Sequence, residues 1–157
     1  MGPRRALDQR GQGAGELGRR LVAALAGTVA VLVERTARAH GGTAVKWLGD
    51  GVMVHFREPA GAVLSALDLV EQLPAAGLPP AHAGVAAGPV VVQGGDYFGR
   101  TVNLAARLAA HAQAGQVLAT VPVAQAAAAD GVAWTELGDL QLKGFADPVR
   151  VLEARPA

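Results

Sequence analysis

The sequence predicts an α+β domain in which a sheet carries helices on one face. Apolar residues recur at helical spacing in two long segments, an Asp-Gly turn joins two short β-rich runs, and strand-like runs dominate the end of the chain. At 157 residues the chain has the size of one domain, and a hydrophobic content of 51% excludes a disordered chain. One compact core is therefore expected.

The N-terminal part divides into two segments. Residues 1–15 are rich in Gly and Arg and show no periodicity, which predicts a flexible segment ahead of a domain at 16–157. Apolar side chains then recur every three or four residues, which predicts a helix from 17 to 39. These apolar positions are Leu21, Leu25, Val29, Leu32 and Val33.

A β-hairpin is predicted next. Thr43–Leu48 and Val52–Phe56 are β-rich runs on either side of Gly49-Asp50-Gly51. Asp-Gly favours a hairpin turn because glycine readily adopts positive φ. The remaining elements are expected, in order, as a helix at 58–73, a strand at 81–92, a loop at 94–99, a helix at 101–112, a strand at 116–120, a helical segment at 122–129, and strands at 133–142 and 148–154.

Composition excludes several classes of function. The net charge of +1 gives no basic field for a nucleic-acid backbone. The chain has no cysteine, so it has neither disulfides nor a thiolate nucleophile, and its four histidines lack the close spacing of metal ligands. The longest apolar run, Leu21 to Val33, is too short for a membrane span, which needs about 20 residues.

The turn of the hairpin is the first candidate site. Asp50 either shapes the turn alone or holds a divalent cation, because Mg²⁺ in proteins is bound through one or two carboxylates together with substrate phosphates. Lys46 lies on the strand before it, where it is either solvated or part of the same site.

The second candidate site follows Asp96. Asn103 and Arg107 are four residues apart on a predicted helix and therefore share one face near its N-terminal end. That end favours anions, which is consistent with a phosphate site. The alternative is a solvated polar face with Thr101 as the helix cap.

Four segments together resemble one family. They are 40–56 (HGGTAVKWLGDGVMVHF), 83–91 (AGVAAGPVV), 97–108 (YFGRTVNLAARL) and 142–145 (LKGF). In this order they are similar to the catalytic domain of the class III nucleotidyl cyclases, the adenylate and guanylate cyclases. The resemblance covers the chain from about residue 16 onward. It implies a ferredoxin-like cyclase fold with an antiparallel-rich sheet.

The resemblance also implies roles for individual residues. Asp50 resembles a metal-binding carboxylate, and Lys46 and Asp96 resemble the pair that reads the base. Asn103 and Arg107 resemble the catalytic pair that orients the ribose and stabilises the transition state, and Lys143 resembles a lysine near the nucleotide phosphates. The implied cofactor is Mg²⁺ or Mn²⁺. The implied assembly is a homodimer, or a pair with another cyclase domain, that acts in the cytoplasm.

The base-reading pair predicts ATP as the substrate. Adenine offers an acceptor at N1 and a donor at its 6-amino group, which a lysine and an aspartate complement. Guanine has a donor at N1 and an acceptor at O6, which is the reverse of adenine. The lysine would then face a donor and the aspartate an acceptor, and buried polar groups left unpaired in this way cost about 1–3 kcal/mol each. The predicted activity is therefore cyclisation of ATP to cyclic AMP.

One family feature has no counterpart in this sequence. The family's first strand carries a further metal-binding Asp in a pattern similar to Phe-x-Asp-hydrophobic-x-Gly-Phe-Thr, whereas the acids before Asp50 are Asp8, Glu16 and Glu34. The sequence therefore predicts a cyclase fold without its first strand and with impaired activity. The alternative is an inactive cyclase-homology module that binds nucleotide or regulates a partner.

Overall fold

A computed structural model describes residues 27–128 and 131–157. The first described residues, 27–39, are helical, and we label this helix α1. The elements that follow are β1 (Gly42–Leu48), β2 (Gly51–Phe56), α2 (Pro59–Ala75), β3 (Ala83–Val85), β4 (Val91–Gln93), β5 (Asp96–Phe98), α3 (Arg100–His111), β6 (Val117–Thr120), α4 (Val121–Ala126), β7 (Val132–Leu140) and β8 (Val149–Pro156).

The strands form one four-stranded sheet and two separate two-stranded ribbons. The larger sheet has the order β3-β6-β8-β7, in which β3 runs parallel to β6 and the other neighbours are antiparallel. The ribbons are β1-β2 and β4-β5, both antiparallel. The predicted α+β class with an antiparallel-rich sheet is confirmed.

Helices cover both faces of the larger sheet, so the expectation of one covered face is wrong. Val117 and Ala119 of β6 pack with Val63 of α2 and with α4 residues. Leu118, which points the other way, packs with Leu108 of α3. Because successive residues of a strand face opposite sides and all of β6 is buried, both faces need an apolar cover.

The predicted hairpin is confirmed, but its turn differs from the expectation. Gly49 adopts positive φ, at 64°, whereas Gly51 does not, and Asp50 lies between them. The register of the ribbon shifts between Ala44 and Lys46, and this bulge places Lys46 opposite Met53. Gly49 therefore provides the left-handed conformation that the turn needs.

The single strand predicted at 81–92 is wrong. Ala83–Val85 pairs with β6, and the chain then breaks at Gly88, whose φ is 156°. Beyond Pro89 the chain forms β4, which turns back at Gly94 and pairs with β5. The segment predicted as a loop at 94–99 thus contains a strand, because two consecutive glycines at positive φ close a tight hairpin.

Several sequence predictions lie outside the described residues. They concern the flexible segment at 1–15, the helix before residue 27, the missing first strand, and the carboxylates of Asp8 and Glu16. Within the described part, α1 ends beside α2, where His40 Nε2 and Asp68 Oδ2 lie 2.6 Å apart. No helix in residues 27–128 or 131–157 has the length and apolar character that a bilayer span requires.

Candidate functional site

Lys46 and Asp96 come together although they are 50 residues apart in the chain. Lys46 Nζ donates a hydrogen bond to Asp96 Oδ2 at 2.7 Å. The same ammonium group lies 5.6 Å from the centroid of the Phe98 ring. Both predicted base-reading residues therefore stand side by side, one on each two-stranded ribbon.

A second contact joins the same two ribbons. The rings of His55 and Tyr97 are stacked, with centroids 4.8 Å apart and an interplanar angle of 30°. Met53 lies opposite Lys46 in the register, and His55 is two residues further along β2, so Lys46 and His55 share one face of their ribbon. The β4-β5 ribbon is thus anchored on the face that carries Lys46.

The electrostatics of the pair keep Asp96 ionised. The hydrogen bond from Lys46, with a further bond from the Tyr97 backbone N–H to Oδ1 at 2.8 Å, lowers the pKa of Asp96 below its ordinary value. The side chains of Lys46 and Asp96 retain 38% and 29% of their exposure. A ligand can therefore reach a cationic donor and an anionic acceptor that are fixed next to each other.

Asn103 and Arg107 lie one turn apart on the exposed face of α3. The opposite face packs against the larger sheet through Leu104 and Leu108. Gly84 permits this close packing, since a Cβ at that position would lie 2.4 Å from both the Ala105 carbonyl oxygen and the Ala109 nitrogen. The start of α3 follows β5 directly, so Asp96 and Asn103 belong to one continuous segment.

The structure does not bring Asp50 or Lys143 into contact with the other predicted site residues. Asp50 lies on the exposed turn of the β1-β2 ribbon and makes no ion pair with any described residue. Lys143 lies in the exposed turn between β7 and β8. The turn is nevertheless linked to α3, because the Arg100 guanidinium lies 4.6 Å from the centroid of the Phe145 ring.

The donor set at Asp50 fits one divalent ion better than two. One carboxylate together with substrate phosphates satisfies the usual requirement of Mg²⁺. Within residues 27–128 and 131–157, no group of three or more His, Cys, Asp or Glu side chains could hold a metal ion. The role of Asp50 in holding Mg²⁺ or Mn²⁺ therefore stays a prediction.

Sequence reasoning missed the aromatic and cationic side chains that fix this arrangement. His55 and Tyr97 link the two ribbons, and Arg100 and Phe145 link α3 to the Lys143 turn. Tyr97 directly follows Asp96 and Arg100 directly precedes Thr101, so the sequence did indicate that both lie near the second candidate site. Nothing in the local pattern indicated which residues they would contact.

The chain is similar to proteins of known family. The family described as adenylate and guanylate cyclase catalytic domain matches residues 81–152. An uncharacterized protein of Mycobacterium tuberculosis is 43% identical over 118 residues, which cover 73% of this chain and 30% of the relative. A pH-sensitive adenylate cyclase of the same species is 36% identical over 116 residues, which cover 71% of this chain and 29% of the relative. The chain thus spans about 30% of the length of these relatives.

Solved structures agree with the fold. A structure of adenylate cyclases from Trypanosoma brucei matches with a TM-score of 0.71 at 22% identity, covering 93% of this chain and 83% of that one. An adenylate/guanylate cyclase/hydrolase from Silicibacter pomeroyi matches with a TM-score of 0.70 at 25% identity, covering 96% of this chain and 86% of that one. These structures share the fold of this chain. The family match over residues 81–152, together with 36% identity to an adenylate cyclase over 71% of this chain, shows that the chain belongs to the adenylate and guanylate cyclase catalytic-domain family.

Proposed function

We propose that this domain converts ATP to 3′,5′-cyclic AMP and pyrophosphate. The observation that carries the proposal is the contact of Lys46 Nζ with Asp96 Oδ2 at 2.7 Å. This contact places a hydrogen-bond donor beside an acceptor, as the edge of adenine requires. In ATP the 6-amino group would donate to Asp96, and N1 would accept from Lys46.

Guanine fits the same pair poorly. Its O6 would face the Asp96 carboxylate and its N1–H would face the Lys46 ammonium. Neither group could then make a hydrogen bond to the base, so guanine would gain less from this pair than adenine does. The pair therefore supports discrimination against GTP.

The residues of α3 would perform the chemistry. The 3′-hydroxyl of the ribose gives up its proton to solvent as its oxygen attacks the α-phosphorus, the bond from that phosphorus to the oxygen bridging to the β-phosphate breaks, and pyrophosphate leaves with the electron pair of that bond. We assign Asn103 to orienting the ribose and Arg107 to stabilising the charge that develops at the transferred phosphorus, because both side chains face solvent on one side of α3. A divalent ion at Asp50 would neutralise phosphate charge.

The active assembly is proposed to be a pair of cyclase domains. Large apolar side chains are exposed on both ribbons: Trp47, Leu48, Val91, Val92 and Phe98. Val91 and Val92 are each 59% exposed, and exposed apolar side chains on both ribbons are typical of an association surface. A second copy, or another cyclase domain, would bury these side chains and complete each site, with Asp50 from one chain and Lys46, Asp96, Asn103 and Arg107 from the other.

The place of the reaction follows from the substrate. ATP is supplied in the cytoplasm, and we propose that the domain acts there. Because the chain spans about 30% of its curated relatives, the activity proposed here is that of the domain.

The direct test is the formation of cyclic AMP from ATP by the purified chain with Mn²⁺. The double variant Asn103→Ala/Arg107→Ala is the matched blank, since both side chains are exposed and their removal leaves the core intact. We expect product with ATP, much less with GTP, and none with the blank. Equal rates with ATP and GTP would contradict the assignment of Lys46 and Asp96.

A complementation experiment tests the proposed pair of domains. Asp50→Asn and Asn103→Ala are each expected to be inactive, because each damages a different half of every site. Mixing the two variants should restore about a quarter of the wild-type activity, since half of the dimers are mixed and one of their two sites is intact. No recovery from variants that exchange subunits would contradict the shared site.

A second candidate is a module that binds nucleotide without converting it. The observation that favours it is that Asp50 belongs to no group of three or more metal-ligating side chains among the described residues. This candidate predicts saturable ATP binding that Lys46→Glu weakens, together with no cyclic AMP above the blank.

A further inference from the structure

The contact between Arg100 and Phe145 joins the start of α3 to the turn that carries Lys143. Arg100 is the first residue of α3, and its guanidinium lies 4.6 Å from the centroid of the Phe145 ring. Phe145 is 6% exposed and belongs to the core cluster around Leu108. Arg100 is therefore held against a fixed ring rather than free in solvent.

The turn that contains Phe145 is itself well defined. Gln141 Nε2 donates to the Phe145 carbonyl oxygen at 2.7 Å, and the Phe145 N–H donates to the Leu142 carbonyl oxygen at 3.1 Å. Lys143 lies inside this turn and is exposed. The anchored ring thus keeps the backbone that carries Lys143 next to the first turn of α3.

Arg100 also shares a helix face with the two residues assigned to catalysis. Asn103 and Arg107 follow it by three and seven residues, which are positions on the same side of an α-helix. All three side chains are exposed, whereas Leu104 and Leu108 point into the core. Arg100 therefore extends the Asn103 and Arg107 face by one turn toward the N-terminus of α3.

The positive charge of this surface is not neutralised by protein. Among residues 27–128 and 131–157, none of Arg100, Arg107 and Lys143 has a carboxylate within ion-pair distance. Arg150, by contrast, lies 2.9 Å from Asp139 and 4.0 Å from Glu136. Three uncompensated cations on one surface favour a ligand with several negative charges.

We propose that Arg100 is a further substrate-binding residue, which binds the β- and γ-phosphates of the nucleoside triphosphate together with Lys143. This inference rests on the proposed function and adds a residue to its site. A guanidinium that stacks on an aromatic ring keeps its N–H groups free in its own plane, where they match the spacing of phosphate oxygens. Arg107 would then serve the α-phosphate, and Arg100 would bind the part of the substrate that leaves as pyrophosphate.

The test compares ligands that differ in their number of phosphates. Binding of ATP, AMP and inorganic tripolyphosphate to the full chain is measured by calorimetry at fixed ionic strength. For Arg100→Gln we expect about tenfold weaker binding of ATP and tripolyphosphate, in keeping with the loss of a charge-assisted contact. Binding of AMP should change less than twofold, because AMP lacks the two outer phosphates.

Two further variants serve as controls. Arg100→Lys keeps the charge and is expected to recover part of the lost affinity. Arg38→Gln removes an exposed arginine on α1 and should leave all three affinities unchanged. The proposal is overturned if Arg100→Gln binds tripolyphosphate as tightly as wild type, or if its loss for AMP equals its loss for ATP.

The outcome also separates this inference from the proposed function. A wild-type chain that binds tripolyphosphate through Arg100 but forms no cyclic AMP supports the inference and contradicts the cyclase activity. A chain that forms cyclic AMP while Arg100→Gln binds tripolyphosphate as tightly as wild type overturns the inference alone. Binding of neither ATP nor tripolyphosphate to wild type overturns both.

Discussion

The imidazole of His55 stacks on the phenol ring of Tyr97, with centroids 4.8 Å apart. His55 belongs to the ribbon that carries Lys46, and Tyr97 directly follows Asp96. The aromatic contact therefore sets the distance between the two groups that are proposed to read the base.

Loss of the His55 ring should weaken nucleotide binding. Stacked aromatic pairs contribute about 0.5–1.5 kcal/mol beyond their burial, so His55→Ala is expected to lower ATP affinity about fivefold. His55→Phe keeps a ring in place and should bind ATP nearly as well as wild type. Fluorescent-nucleotide titration measures both, with His82→Ala as the exposed control. Equal losses in His55→Phe and His55→Ala would contradict a role for stacking.

Reversal of charge at Lys46 should change base selectivity. Lys46→Glu removes the donor for adenine N1 and sets two carboxylates side by side, so ATP binding is expected to fall at least tenfold. The affinity for GTP should fall less, because the new carboxylate can accept from guanine N1–H. The ratio of the two dissociation constants is the measurement. Arg38→Glu makes the same change in charge on α1 and should leave that ratio unchanged.

The pH dependence of the pair follows from Asp96. Its pKa in the folded chain is lowered from the ordinary value of 3.8, first by the Lys46 hydrogen bond and then by the Tyr97 N–H. The carboxylate therefore contributes its full stabilisation above pH 3.8 and loses it as the pH falls through the lowered value. Asp96→Asn should be less stable than wild type in urea at pH 7 and closer to it in strong acid. An unchanged gap across that range would contradict the assigned shift.

A side chain at Gly84 should displace α3. The Cβ of Gly84→Ala would meet the Ala105 oxygen and the Ala109 nitrogen at 2.4 Å, and both atoms are backbone. We expect a loss of about 1–3 kcal/mol in the free energy of unfolding, together with reduced nucleotide turnover. Gly51→Ala is the matched control for stability, because its Cβ would meet only the Leu48 oxygen at 3.6 Å. Urea unfolding measures the stability of both variants. A Gly84→Ala variant as stable as Gly51→Ala would contradict the close packing of α3 against Gly84.

Removal of the Asp50 carboxylate should act through the metal. The side chain is exposed and makes no ion pair within the described residues, so Asp50→Asn is expected to fold with wild-type stability. The stimulation of ATP binding by Mn²⁺ should fall about tenfold or more, whereas binding without a metal should stay the same. A Mn²⁺ titration at fixed ATP measures the effect. Loss of metal-free binding would instead indicate a role in folding or in direct nucleotide contact.

Local patterns predicted the elements that local chemistry decides. The hairpin at β1-β2 and the helices α2 and α3 were expected within a few residues of their bounds, because turn glycines and 3.6-residue periodicity are local signals. The stretch from 81 to 99 was misjudged. Its strands are three residues each, so periodicity had too little length to act on, and Gly88 and Pro89 decide the break.

The site was predictable only in part, because its contacts join segments that are far apart in the chain. Lys46 and Asp96 were expected to meet because the family resemblance implies it, not because any spacing in the chain does. His55 and Arg100 act through rings that come from distant segments, Tyr97 and Phe145. Contacts of this kind depend on how the ribbons and turns pack, and that information is absent from any short window of sequence.

The two ribbons are expected to unfold locally more easily than the four-stranded sheet. Within the described residues, neither β1-β2 nor β4-β5 shares hydrogen bonds with the four-stranded sheet, so each is tied to the rest of the domain by side-chain packing. Such units exchange their amide hydrogens through local fluctuations that cost less than global unfolding. Amides of β4 and β5 should therefore exchange faster than those of β6 and β8. A nucleotide that binds to Lys46 and Asp96 would contact both ribbons at once and is expected to slow the exchange of their amides.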